Sequence, residues 1–218
     1  MKRLEISLLI ALLFGAVLRM SALQVECDGI RGSVLRLHVL ANSDTAEDQR
    51  LKLDVRDRLL EVSGKLFSQA KSREDAIKSA ESHLAYLQKE AEKVVQAEGY
   101  QYPVEVRLEE TYFTTRSYGE ITLPAGNYQA LRVVIGEGEG HNWWCVMFPP
   151  LCLSAASEDE AQLEDVLDPQ QMELVQGSEY EMKFKCVELY EEWKRSWEAS
   201  DTAVSSKAVS QNKNCGQF

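Results

Sequence analysis

The chain has 218 residues and a formal charge of −11, a length that suits one well-packed domain with tails rather than two domains. Its 24 lysines and arginines are outnumbered by 35 aspartates and glutamates and form no basic stripe. A phosphate backbone would repel such a surface, which excludes sequence-independent nucleic-acid binding. The same acidity opposes docking on an anionic membrane by charge alone.

At the N-terminus, Lys2 and Arg3 precede an apolar run from Ile6 to Leu18 that Arg19 closes. This is the pattern of an export signal, and the run is short against the roughly 20 apolar residues of a membrane span. Residues 1–23 are therefore read as a signal peptide or a short N-terminal anchor, residues 30–197 as one domain and 198–218 as a polar, disordered tail. Ser33 to Leu40 carries Val34, Leu35, Leu37, Val39 and Leu40, the composition of a largely buried strand. Asn42, Ser43 and Asp44 follow, and Glu47 three places after Asp44 predicts a capping-box helix start. The stripe Leu51, Val55, Leu59, Val62 and Leu66 buries one face of that helix.

Ser72 with Asp75 predicts a second helix carrying Ile77, Ala80, Leu84, Leu87, Ala91 and Val94, so the two helices form a hairpin. Gly99 ends the second helix in a left-handed cap, and Val104, Val106 and Leu108 alternate with charged residues along a half-buried strand. Tyr128 to Ile135 and Asn142 to Phe148, joined by Gly136 to Gly140, read as an antiparallel hairpin. Ser154 to Gly177 is acidic and weakly patterned, the signature of a long loop. Phe184, Val187, Tyr190, Trp193 and Trp197 recur at helical spacing, although Met182, Phe184 and Cys186 also fit the start of a strand. The predicted fold is α+β: one domain, mainly antiparallel sheet packed on a helical hairpin, with a C-terminal helix.

Chemistry-bearing residues are few. His38, His83 and His141 sit in no catalytic signature, and a Cys145–His141 couple is only a spacing of four. The Gly136–Gly140 loop carries two glutamates and no lysine, the wrong chemistry for a phosphate cradle. Five cysteines in an exported chain leave at least one thiol unpaired within a monomer; Cys145, Cys152 and Cys186 either contain a structural pair or are buried free thiols. No metal-ligand spacing is present. Trp143 and Trp144 are adjacent on a strand and must face opposite sides, so either one is core while the other lies over the helices or anchors a partner, or both rings are buried between sheet and helices. Pro149 and Pro150 then end strand pairing, since neither has an N–H to donate.

Three stretches together resemble the stage II sporulation protein R family. They are RLHVLANSD at Arg36–Asp44, DQRLKLDVRD at Asp48–Asp57, and YGEITLPAGNYQALRVVIGEGEGHNWWCVMFPPLC at Tyr118–Cys152. KFKCVELYEEW at Lys183–Trp193 is a less specific match, and Tyr112–Thr115 lacks the proline expected of that family. The resemblance implies a protein made in the forespore and exported into the space facing the mother cell. There it would trigger a membrane-embedded aspartic protease that processes a sporulation pro-sigma factor, pro-sigma-E. The implied partner is that protease, with no cofactor, no small-molecule substrate, and contact with the membrane only through the receptor or an uncleaved N-terminal segment. Asn42, Ser43, Asp44, Trp143, Trp144, Pro149 and Pro150 are the expected partner contacts. A secreted cell-wall hydrolase and an envelope-associated binding protein are the alternative readings.

Overall fold

The structure, a computed structural model, describes residues 2–119, 121–150, 163–176 and 184–197. Strand β1 (Leu35–Leu40) is buried on both sides. Its odd-numbered residues Leu35, Leu37 and Val39 enter one apolar core, while Arg36 and His38 point to the other face with Val34. Around it, β2 (Val104–Phe113), β5 (Gly126–Ile135) and β6 (Asn142–Phe148) complete a four-stranded sheet in the order β2-β5-β1-β6. β1 runs parallel to β5 and antiparallel to β6, with Leu37 opposite both Leu131 and Cys145.

The expected β5–β6 hairpin is therefore not formed, because β1 lies between its two strands. The Gly136–Gly140 loop crosses the end of β1 instead, a gap of two strand spacings or about 10 Å, well within the reach of five residues. Backbone bonds clip the loop to the chain leaving β1: Gly140 N–H donates to Ala41 O at 3.0 Å and Glu139 N–H to Asn42 O at 3.3 Å.

Helices α2 (Ala46–Phe67), α3 (Arg73–Ser82) and α4 (Leu84–Ala97) cover the first face. Leu51, Val55, Leu59 and Val62 of α2 are buried there as their spacing predicted, each such side chain worth about 1.5–3 kcal/mol when fully buried. The α2 cap is shifted one residue from the expected box. Thr45, in extended conformation, accepts from Asp48 N–H, while the Asp44 carboxylate turns to His141. The predicted second helix starts at Ser72 as expected but breaks in two at His83, where Ser82 Oγ and His83 Nδ1 both turn back to the Ser79 carbonyl. Gly99 adopts φ +85° after α4, a left-handed cap.

The second face is built from parts far apart in sequence. Helix α1 (Lys2–Ser33) runs unbroken from the apolar N-terminal segment into the domain. Leu4 is 78% and Leu18 56% exposed, whereas Cys27 and Ile30 are fully buried in the second core. A small hairpin, β3 (Arg116–Tyr118) and β4 (Ile121–Leu123), adds Leu123 to that core. Within the expected long loop, α5 (Leu163–Val166) and α6 (Pro169–Gln176) are helical, burying Leu163, Leu174 and Val175. Asp168 starts α6 by accepting from the N–H groups of Gln170 and Gln171, with Pro169 at the first helical position. Residues 184–197 form the C-terminal helix α7. Only Phe184, Val187 and Glu191 of it are buried, so the expected aromatic stripe at Tyr190, Trp193 and Trp197 faces solvent. Met182 and the 198–218 tail lie outside the described residues.

Candidate functional site

The segment Asn42–Asp44 is a polar knot that ties β1, the start of α2 and the glycine loop together. Asn42 Nδ2 and Ser43 Oγ both donate to Asp48 Oδ2, at 2.8 and 2.6 Å. Asn42 Oδ1 accepts from Glu137 N–H at 3.1 Å, and Gln49 Nε2 donates to Ser43 O at 2.9 Å. Asp44 Oδ1 accepts from His141 N–H at 2.6 Å and from the His141 ring Nδ1–H. Lys52 reaches the same place, donating to His141 O at 2.8 Å.

These bonds set the local electrostatics. The His141 ring bond, followed by its backbone N–H, holds the exposed Asp44 carboxylate below its ordinary range. Burial alone would raise Asp48, but hydrogen bonds from Ser43, Asn42 and Tyr102 outweigh it and keep that acid ionised. The glycines are required by contact. A Cβ on Gly140 would overlap the Ser43 carbonyl, and Gly136 adopts φ +60° against the Asn42 side chain. The glycine loop is a fitted clasp.

Trp143 and Trp144 share this end of the sheet and point to opposite faces, as their adjacency required. Both are half-buried. Trp143 packs toward α2 with the Arg56 guanidinium 4.3 Å from its ring centroid. Trp144 stacks on His38 at 3.9 Å and meets Phe113 edge-on at 4.7 Å. His38 Nε2–H donates to Asn142 Oδ1 at 2.7 Å, which leaves Nδ1 buried without a partner among the described residues. Burial holds this imidazole below the ordinary histidine range and hence neutral. Pro149 and Pro150 stand at the far end of β6, six residues from Trp143 and about 20 Å away along an extended strand. The structure thus joins five of the seven expected contact residues and separates the two prolines from them.

Sequence reasoning missed Arg36, which is fully buried. Its guanidinium carbon lies 4.1 Å from the Phe113 ring, 4.8 Å from Tyr128 and 5.4 Å from Tyr118. Nε donates to Cys145 O at 3.0 Å and a terminal nitrogen to Tyr118 Oη at 2.5 Å. The cage fastens the β3–β4 hairpin to β1 and β6, and an arginine inside a largely apolar strand was the available signal. Cys145 is disulfide-bonded, with its partner outside the described residues, where Cys152 also lies. Cys186, the third candidate, is free, as is buried Cys27. The Cys145 thiol is therefore unavailable as a nucleophile for His141, which is paired with Asp44 instead.

Fold and site define an α+β domain carried on an apolar N-terminal helix, its most organised surface a hydrogen-bonded clasp beside two tryptophans. By length and composition α1 can cross a membrane, and a signal sequence passes the same test. Residues 31–158 match the family described as Stage II sporulation protein R, and the chain belongs to that family. It is 36% identical over 135 residues to stage II sporulation protein R of Bacillus subtilis (strain 168), covering 62% of this chain and 60% of that relative. No solved structure matches.

Proposed function

We propose that this chain is an intercompartmental signalling ligand of sporulation rather than an enzyme. Exported from the forespore toward the mother cell, it activates a membrane-embedded aspartic protease that removes the pro-sequence of pro-sigma-E. The observation that carries the reading is family membership over residues 31–158, joined to an apolar N-terminal helix suited to export or anchoring. A ligand activates only through tighter binding to the working receptor state. Moving a receptor from 1:99 to 99:1 needs about 10⁴-fold preference, or about 5.5 kcal/mol. A rigid, preorganised surface serves that end, and the clasp supplies one: Asp44 and His141, bonded to each other, remain outward-facing, with side chains 55% and 77% exposed, while Asn42 and Ser43 tie the adjoining chain to Asp48.

The hydrolase alternative draws less support. His38 is committed to Asn142, His83 to Ser79 and His141 to Asp44, and none of them lines the polar cleft between α1 and α7. The test is co-expression of the full chain with the protease and its pro-sigma substrate in a non-sporulating host. Processing that depends on this chain is expected. Processing that is equal with and without it, or a purified chain that cleaves the substrate or cell wall unaided, would overturn the proposal.

A further inference from the structure

The second face of the sheet is covered over only part of its length. Ala130 and Arg36 are fully buried, one in the second core and the other in its aromatic cage. Two further rows lie between them and the clasp. Arg132, His38 and Trp144 form the first across β5, β1 and β6, and Val134, Leu40 and Asn142 form the second. Among the described residues Leu40 and Val134 belong to neither core and Trp144 only borders the second. All three are half-buried and Asn142 is exposed. Parallel strands are ordinarily covered on both faces, so at this end of the β1–β5 pair the apolar Leu40 and Val134 lack the layer that buries the rest.

This open half-face is rigid. The Trp144 ring is fixed between the His38 stack and the Phe113 edge contact, and His38 is tied in turn to Asn142. Gly138, at φ +67°, seats the glycine loop on the same side: a Cβ there would lie 2.7 Å from Val134 Cγ1 and 3.8 Å from Leu40 Cβ. The loop thereby places Glu137 and Glu139, both exposed, along the border of the apolar patch. A fixed aromatic ring beside fixed aliphatic side chains supplies the ingredients of a binding hot spot at little ordering cost.

Position, size and charge select the occupant. α1 meets the sheet at the start of β5, where Arg31 donates to Ala125 O, and about two turns earlier Gln24 lines a cleft with Asn127 and Gln129 at that same end. Val134 lies eight residues past Gly126 (134 − 126), about 26 Å along the strand, so a bilayer that holds the apolar run of α1 does not reach it. Four strands and two rows make a platform of about 250 Å², against about 800 Å² per partner in a stable complex of two folded chains. Such a platform suits a short peptide segment rather than a second copy. The charges on the platform cancel, since Arg107 pairs with Glu105 and Arg132 with Glu109. Asp44 is bonded to His141, and buried Lys52 donates to Gln49 Oε1 and His141 O. Glu137 and Glu139 join no ion pair among the described residues, so the surplus at this border is negative and a cation on the partner complements it.

We propose that the open half-face, Leu40, Val134 and Trp144 bordered by Glu137 and Glu139, is the surface on which an extracytoplasmic polypeptide segment of the receptor docks. The segment lays apolar side chains on the sheet and a lysine or arginine against the loop. This rests on the receptor reading above, and every residue of the surface lies within residues 31–158 of the family match.

The experiment uses the full-length chain carrying Val134→Lys, Glu137→Lys or Glu139→Lys, with Glu81→Lys as a charge-matched control at an exposed position of α3. Each is scored for capture of the detergent-solubilised protease and for pro-sigma processing, with far-UV circular dichroism and urea midpoints establishing the fold. Val134→Lys is expected to weaken capture about 10-fold, the effect of a charge set in a desolvated contact. Each loop variant is expected to weaken it about 3-fold, more at low salt than at high, and Glu81→Lys to leave it unchanged. Should Val134→Lys fail to fold, the two loop variants carry the test, because their side chains are exposed and the clasp bond at Glu137 is made by the backbone N–H. Capture that depends on these residues without any processing would keep the surface and sink the activation reading. Processing that depends on the chain yet is undiminished in the folded variants would overturn the surface and keep that reading. Absence of capture, a dimer on gel filtration that Val134→Lys abolishes, or binding to phosphatidylglycerol and phosphatidylethanolamine vesicles that Val134→Lys abolishes would also overturn the surface.

Discussion

Replacing Gly140 by alanine adds one methyl group where the structure leaves no room. The new Cβ would overlap the Ser43 carbonyl oxygen and approach its carbonyl carbon to 2.6 Å and the Ala41 Cβ to 2.9 Å. Two of these neighbours are backbone atoms, so relief requires the loop to move away from β1. That movement loosens the Gly140 N–H bond to Ala41 O and the His141 bonds to Asp44. Overpacking costs about 1–3 kcal/mol, and one weakened backbone bond adds about 1 kcal/mol, giving about 2–4 kcal/mol. Gly119 is the internal control: it adopts φ +62° but has nothing within 4 Å of its would-be Cβ, so Gly119→Ala costs only the left-handed penalty of about 1–2 kcal/mol. In urea unfolding, with a slope of about 2–3 kcal/mol per M, Gly140→Ala is expected to lower the midpoint by about 1–1.5 M and Gly119→Ala by about 0.5 M. Equal shifts, or a larger one at Gly119, would refute the clasp.

Other outcomes follow from the same geometry. His38 is held neutral by burial below its ordinary pKa of 6.5, so the unfolded chain binds the extra proton as pH drops. Stability contributed by this group is complete above 6.5 and is lost below it at up to about 1.4 kcal/mol per pH unit. Urea midpoints from pH 7 to 5 should fall less steeply in His38→Gln, and parallel profiles would refute the assignment. Trp144→Ala removes the stack on His38 and the edge contact with Phe113 and should cost about 2–3 kcal/mol, less than a fully buried tryptophan. Trp143→Ala, losing the Arg56 contact and its partial packing on the first core, should cost about 1–2 kcal/mol, again less than a fully buried ring; if Trp144→Ala keeps full stability yet loses activation, that ring is an anchor and not core. Cys145→Ser breaks a disulfide and should lower stability by about 2–4 kcal/mol, while Cys186→Ser, at a free exposed thiol, should leave the thermal midpoint unchanged.

Local pattern was enough to name most elements. A short apolar run bounded by turn residues, or one that alternates with polar residues, specifies a strand, and the four-residue spacing of Leu51, Val55 and Leu59 specifies a buried helix face whatever packs on it. Cap chemistry located helix starts to within one residue, at Thr45 and Ser72. The opposed directions of Trp143 and Trp144 were likewise a consequence of strand geometry alone. These are short-range properties of the backbone, carried by each segment independently.

Pairing and coverage were decided elsewhere. That β1 separates β5 from β6 depends on contacts across about a hundred residues, between Leu37, Leu131 and Cys145, and a five-residue glycine loop reads the same whether it joins neighbours or steps over a strand. The Arg36 cage exists only once Phe113, Tyr118 and Tyr128 converge on β1. Along α7 the helical period was legible in Phe184, Val187, Tyr190, Trp193 and Trp197, but not which of them would find a core. Glu191 bound to Arg31 turns Phe184 and Val187 inward and leaves the tryptophans in solvent. Periodicity defines a face, and only the folded neighbours determine what that face meets.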